Sequence, residues 1–335
     1  MRKGILSCLL LLLLCLPVRA AADSEFNFSV QFALPENQVD QDKTYLDLMV
    51  EPGSEQAVDY TIRNDTENDL TITVAVHPAT TNGNGVIEYA RTPEFTDDSL
   101  QHNLVDLVSY EKELVVPKQS IIQQQLIITA PDEAFTGIIA GGITFQEKNT
   151  SSVSETNGVG VTSTFSMTKA ILLRNKSEAV SPELKLKRVS PELVNARSII
   201  QAIIQNDHPA YLFDSTFDIT LEKSGTAEPF YETTVENISI APNSTFGYRI
   251  PLDGKTLEAG NYTLSIQVAG AEKEWHLEKD FQVSASQSER LAAEDVDIQE
   301  KTTDSSGYIF LGWGLVLLLM FLIGKFIIAK NKGEK

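Results

Sequence analysis

Short runs that alternate apolar and polar residues recur along this chain. Residues 56–64 (QAVDYTIRN) alternate and end at an asparagine, and residues 70–77 (LTITVAVH) alternate over a full strand length. Residues 121–129 and 141–145 are two further strand candidates. A later set follows at 184–189, 198–206, 217–223, 235–240, 246–251, 260–268 and 275–283. A period of two is the signature of a half-buried strand. Threonine, valine and isoleucine are frequent, and Gly, Asn, Asp and Pro interrupt at short intervals, which favours sandwiches over βαβ units. Residues 99–109 and 289–295 allow short helices. The polar string 147–160 (EKNTSSVSETNGVG) carries no apolar period and reads as a linker. The strand at 161–173 either closes the first set or opens the second. The predicted fold class is all-β: two tandem immunoglobulin-like β-sandwich domains, then a stalk and one C-terminal transmembrane helix. Each strand set has about the 100-residue size of such a sandwich.

The two ends carry a different pattern. Arg2 and Lys3 precede a leucine-rich run at 5–16, and Ala20, Ala21 and Ala22 follow. This is the layout of a secretory signal peptide (1–22) cut between Ala22 and Asp23. Residues 308–329 (YIFLGWGLVLLLMFLIGKFIIA) are long and apolar enough to cross a bilayer. Tyr308 and Trp313 mark one boundary of this expected helix at 307–329, and Lys325 and Lys330 the other. The basic end predicts a cytoplasmic tail (330–335), with the N-terminal body outside the cell membrane as a single-pass protein. Between body and span, residues 285–306 are acidic and read as a stalk.

Composition narrows the function. The formal net charge is −19, and both ends are basic, so the body between them is more acidic still. Such a body repels nucleic acid and anionic lipid, and no nucleic-acid partner is expected. Both cysteines, Cys8 and Cys15, lie in the expected signal peptide, so an exported body would depend on core burial rather than disulfides. Seven N-x-[ST] strings begin at Asn27, Asn64, Asn149, Asn175, Asn237, Asn243 and Asn261. Without cysteines these fit Asn-rich turns of a bacterial surface protein better than a eukaryotic glycoprotein.

Motifs for chemistry are missing. His77, His102, His208 and His276 are scattered, and no G-x-S-x-G, phosphate loop or HExxH string occurs. The acidic strings at Asp40–Asp42 and Asp97–Asp98 lack the ligand number of a calcium loop. No enzyme activity, cofactor or metal is expected. Sugar binding at a wall uses exposed aromatics. Trp275 sits in an alternating strand and reads as core, whereas Tyr45, Tyr60, Tyr89 and Tyr110 are more available. The string 80–89 (TTNGNGVIEY) is the richest polar loop. Its Asn-Gly pairs signal tight turns, and Asn82, Asn84 and Tyr89 are the candidate wall or partner contacts. Sandwich edges also offer a route to partners by strand addition.

An ordered series of strings resembles the WxL-interacting proteins, cell-surface proteins of Gram-positive bacteria: FALPENQV (32–39), YLDLMVEPG (45–53), ATTNGNGVIEY (79–89), DDSL (97–100) and FTGIIAGGITF (135–145), then PAYL (209–212), IAPNSTFGY (240–248), AGNY (259–262) and WHLEKDF (275–281). The resemblance implies two immunoglobulin-like domains, one binding peptidoglycan (26–150) and one binding host proteins (160–284), with the boundary in the linker. It also implies WxL-domain surface proteins as partners, together with peptidoglycan and host extracellular proteins. One departure is the strand at 163–175, more polar than the family pattern. The reading is a membrane-anchored surface adaptor without enzyme activity. The alternatives are an assembly chaperone for exported WxL proteins working by β-strand addition, and a wall-active enzyme.

Overall fold

The computed structural model describes residues 27–148 and 164–298. Two β-sandwiches follow one another. In the first, one sheet has the order β1 (Phe28–Phe32), β3 (Glu55–Asn64), β9 (Ser120–Thr129), β7 (Val108–Ser109). The facing sheet runs β2 (Leu46–Met49), β11 (Ser166–Arg174), β10 (Ile139–Glu147), β4 (Leu70–Pro78), β8 (Glu113–Val116). Strand β4 keeps the alternation read from its sequence: Leu70, Ile72, Val74 and Val76 point into the core. Strand β10 instead is buried from Ile139 to Phe145, because a second layer covers its outer face. Tyr60 lies at the centre with Phe32 and Phe145 around it. Burial, with Glu111 as a lesser cause, pushes its pKa up to about 12, so it is a core residue and not an available aromatic.

The second sandwich pairs a sheet of β12 (Leu184–Val194), β13 (Arg197–Asn206) and β16 (Ser244–Pro251) with one of β15 (Tyr231–Ile240), β14 (Leu212–Lys223), β17 (Gly260–Ala269) and β18 (Glu274–Val283). Phe217, Phe246 and Tyr262 are among its largest fully buried side chains, and Trp275 joins this core. Between the sandwiches' main sheets lies a small hairpin, β5 (Thr80–Thr81) with β6 (Ile87–Glu88). A single-turn helix, α1 (Leu104–Leu107), is capped by Asn103.

One device occurs in both sandwiches. Asn64 ends β3 and Asn206 ends β13, each just before the chain crosses to the facing sheet, and both are buried. The Asn64 amide donates to the carbonyls of Asn68, Val116 and Pro117. That of Asn206 donates to Ala210 and Ala241. These carbonyls lie where the strands part, and the side chain replaces the ladder partner that buried backbone requires. Several asparagines of the N-x-[ST] strings therefore hold contacts within the fold: Asn64 here, Asn243, which reaches Ser99, Asn175, which donates to the Val50 carbonyl, and Asn27, which donates to Glu147.

Several expectations are corrected. Strand β11 pairs antiparallel with β10 and parallel with β2, so residues 166–174, whose sandwich the alternation left open, close the first sandwich, and the strands of the second begin with β12 at Leu184. The first part of the expected stalk is a docked helix, α2 (Ala285–Glu294), with a capping box between Ser284 and Gln287. Leu291 is buried against the second sandwich, and Asp295 accepts a 2.8 Å hydrogen bond from the Ser198 amide. The fold class is corrected as well: among the described residues no helix is long and apolar enough to cross a membrane, so the all-β assignment holds without the expected transmembrane helix. The segment to which that helix was assigned (307–329), with Tyr308, Trp313, Lys325 and Lys330, lies outside the described residues. So do the expected signal peptide with Ala22 and Asp23, the central part of the linker and the tail.

Replacing Asn206 by alanine leaves the Ala210 carbonyl buried without its Asn206 donor, while the Ala241 carbonyl keeps only the bond from Ser244 Oγ. The expected cost is about 1–3 kcal/mol for stranded buried polar groups. Urea unfolding of the variant beside the parent chain measures it, and an unchanged midpoint would contradict this role.

Candidate interaction site

The two sandwiches meet along an interface built from backbone and small residues. Ala79, Ala140, Leu172 and Ala241 form a buried apolar patch, with Tyr45, Ile87, Tyr89, Ile138 and Tyr211 packed around it. The loop between β5 and β6 reaches across to the second sandwich. Gly83 O accepts from Arg249 N at 2.9 Å, and Gly85 O accepts from Ser239 N at 2.8 Å. Arg249 lies on β16 and Ser239 on β15, and each strand is the edge of its own sheet. The loop thus supplies acceptors to both edges at once. Thr81 Oγ1 accepts from Ala241 N, and Pro209 O accepts from Ile138 N.

Glycine is required at two of these crossings. Gly85 has φ +74°, and a Cβ there would lie 2.7 Å from Ile238 Cδ1. Gly137 has φ +75°, and its Cβ would lie 2.3 Å from Pro209 O. Both the left-handed backbone and the closeness of the partner exclude a larger residue.

Asp97 forms a second anchor. It accepts hydrogen bonds from Ser99 N and Oγ on its own loop, and from Gln205 Nε2 (3.0 Å) and Thr245 Oγ1 (2.5 Å) across the interface. Burial alone would raise its pKa. The hydrogen bonds from Ser99, Thr245 and Gln205 outweigh that and hold it below the ordinary carboxylate value. Asn243 Nδ2 adds a bond to Ser99 O. The Asp97–Asp98 string is therefore an interface anchor, and the Asp40–Asp42 string is a solvated turn in which Asp40 accepts from Asp42 N. Among the described residues no group of three or more His, Asp or Glu side chains could hold a metal ion.

At one side of the interface lies a groove of about 640 Å³. Tyr45, Tyr89, Tyr211 and Phe213 line it together with the Asp47–Arg174 pair, and the chain at 176–180 forms a wall. Asp47 and Arg174 sit on paired strands β2 and β11. Arg174 Nε donates to Oδ1 at 2.7 Å and Nη2 to Oδ2 at 3.2 Å. Buried Gln38 fixes this corner by donating to the Tyr45 carbonyl and accepting from Asp47 N. The rings of Tyr211 and Phe213 stack, with centroids 4.9 Å apart and 18° between planes. Tyr89 Oη donates to Tyr211 Oη at 3.2 Å. Burial raises the pKa of both phenols, so they stay protonated at neutral pH.

The sequence-derived candidates separate here. Asn82 folds its side chain into its own turn, accepting from Asn84 N and Val86 N and donating to Glu88. Asn84 is exposed at the tip of the loop, whose glycines bind the other sandwich. Tyr89 lines the groove. Of the other tyrosines, Tyr45 joins Tyr89 there, whereas the Tyr110 hydroxyl accepts from Val76 N within the first sandwich. Asp47, Asp97, Arg174, Tyr211 and Phe213 did not emerge from sequence reasoning as site residues. The one available signal was the spacing of Tyr211 and Phe213, two apart at the start of a strand, which puts both on one face.

The WxL Interacting Protein peptidoglycan binding domain matches residues 28–147, and the WxL Interacting Protein host binding domain matches residues 156–293. The chain belongs to the WxL-interacting protein family. The host binding domain match begins ahead of β11, which the fold of this WxL-interacting protein places in the first sandwich. No curated protein matches the chain. Among solved structures, the YadV chaperone is similar at 12% identity, covering 77% of this chain and all of the chaperone, with a TM-score of 0.29. The E. coli chaperone DraB is similar at 14% identity, over 77% of this chain and 98% of its own, with a TM-score of 0.27. The Pseudomonas aeruginosa CupB2 chaperone is similar at 13% identity, over 70% and 97%, also with a TM-score of 0.27.

The Asp97 anchor carries a pH signature. With its pKa lowered by folding, Asp97 stabilises the protein fully above the unfolded aspartate pKa of about 3.9, and this contribution is lost as pH falls through the lower folded value. Asp97→Asn turns an amide toward one of its donors, with an expected cost of about 1–3 kcal/mol at neutral pH. Urea unfolding from neutral pH down through the acid range measures both effects. The parent is expected to lose stability more steeply than the variant on acidification, and parallel curves would contradict the assignment.

Proposed function

We propose that this WxL-interacting protein is a non-enzymatic adaptor at the outer surface of the cell, joining wall polymer to WxL-domain proteins and to host extracellular proteins. Membership of the family, with both its peptidoglycan binding and host binding domains, supports the surface role and those two classes of ligand. The observation that carries the adaptor reading is the interface. The loop at 80–88 bonds to two adjacent edge strands of the second sandwich, β15 and β16, so the two binding domains are held in one fixed relation rather than strung on a free linker. A fixed relation lets one bound partner hold the other nearby at high effective concentration, even where each contact is weak.

Co-sedimentation tests this reading. The purified chain is expected to pellet with insoluble peptidoglycan and to carry a WxL-domain protein into the same pellet. A chain that pellets without the WxL-domain protein, or that releases soluble fragments from the polymer, would contradict the adaptor.

A further inference from the structure

We infer that the groove between the sandwiches is a binding site for a neutral saccharide, with sugar rings laid against Tyr45, Tyr211 and Phe213 and hydroxyls bonded at Asp47 and Arg174. The inference rests on the wall-binding reading above and goes beyond it. It places the sugar contact between the domains, where three of the residues (Arg174, Tyr211 and Phe213) fall after the segment that matches the peptidoglycan binding domain.

The chemistry of the lining selects this ligand. Pyranose rings have an apolar face that packs on an aromatic plane and an equatorial rim of hydroxyls that both donate and accept. The stacked Tyr211–Phe213 pair offers such a plane to solvent, with Phe213 55% exposed although it is a large apolar side chain. The rim finds partners as well. The guanidinium of Arg174 has five N–H donors, and two of them serve Asp47, which leaves donors for a ligand. Tyr89 and Tyr211 share one hydrogen bond between their hydroxyls, so one of the two phenols keeps its hydrogen for a ligand.

Electrostatics rule against charged occupants. Arg174 is already paired with Asp47 at bidentate distance, Lys176 and Glu178 on the wall carry opposite charges, and the whole chain carries −19, so an anionic wall polymer or a nucleotide gains no net attraction. The ion pair in the groove's lining also opposes a lipid tail. A proline-rich peptide would use the aromatic ridges but not the paired charges. The volume of about 640 Å³ suits a short oligosaccharide. The site is built before the ligand arrives, because Gln38 holds Tyr45 and Asp47, and the interface holds Tyr211.

Titration calorimetry of the full chain with a soluble N-acetylglucosamine tetramer tests this. The parent is expected to bind, Phe213→Ala to weaken binding about fivefold, in line with the size of aromatic contacts, and Phe213→Trp to retain it. Phe213 is exposed, so an unchanged melting temperature shows that Phe213→Ala keeps the fold. Binding that is equal in the parent, Phe213→Ala and Tyr45→Ala overturns the site. A chain that sediments with insoluble peptidoglycan but ignores the tetramer also overturns the site, and leaves the adaptor reading intact. A chain that binds neither overturns both. Capture of decaproline in place of the tetramer assigns the groove to peptide and overturns the saccharide.

Discussion

Sheet edges impose the constraint on which this architecture depends. Backbone N–H groups at an edge need an acceptor, and a sandwich of modest size has four edges to manage. In the second sandwich, the edges on one side are β15 and β16, and they lie beside each other where the chain turns from one into the other at Ala241–Asn243. The Asn-Gly loop of the first sandwich meets this corner and supplies carbonyls to Ser239 and Arg249. The same contact that satisfies the edges joins the domains. It needs glycine at 85 because the carbonyl must approach within hydrogen-bond distance while Ile238 occupies the space a side chain would take.

The groove follows from that join. Tyr45, Asp47 and Arg174 are set by the first sandwich, and Tyr211 and Phe213 by the second. The hydrogen bond between Tyr89 and Tyr211 and the apolar patch around Ala140, Leu172 and Ala241 keep the two walls in register. Asp97 and Asn243 secure a separate part of the interface, so the sandwiches cannot pivot freely about the loop.

Much of the fold was legible in the sequence because alternation is a local property. Strands β3, β4, β17 and β18 fall where a period of two placed them, and the burial of Trp275 followed from its place in WHLEKDFQV. The failures share a cause, which is that they depend on what packs against a segment. Residues 166–174 read as a strand but carried no sign of their sheet, since pairing with β10 and β2 is a tertiary choice. The acidic segment after Val283 read as a stalk from its composition, whereas Leu291 and Asp295 dock it on the second sandwich. For the loop at 80–89, turn chemistry explains Asn82, but the close approach that makes Gly85 necessary comes from Ile238, about 150 positions further along. The four tyrosines looked equally available, and the fold buried Tyr60, engaged Tyr110 and left Tyr45 and Tyr89 in the groove.

The two sandwiches behave as one body because a loop of the first bonds to two adjacent edges of the second. Differential scanning calorimetry of the purified chain tests it most directly. A single cooperative transition, with calorimetric and van't Hoff enthalpies in agreement, is the result expected of a joined pair. Two separable transitions, one for each sandwich, would contradict it.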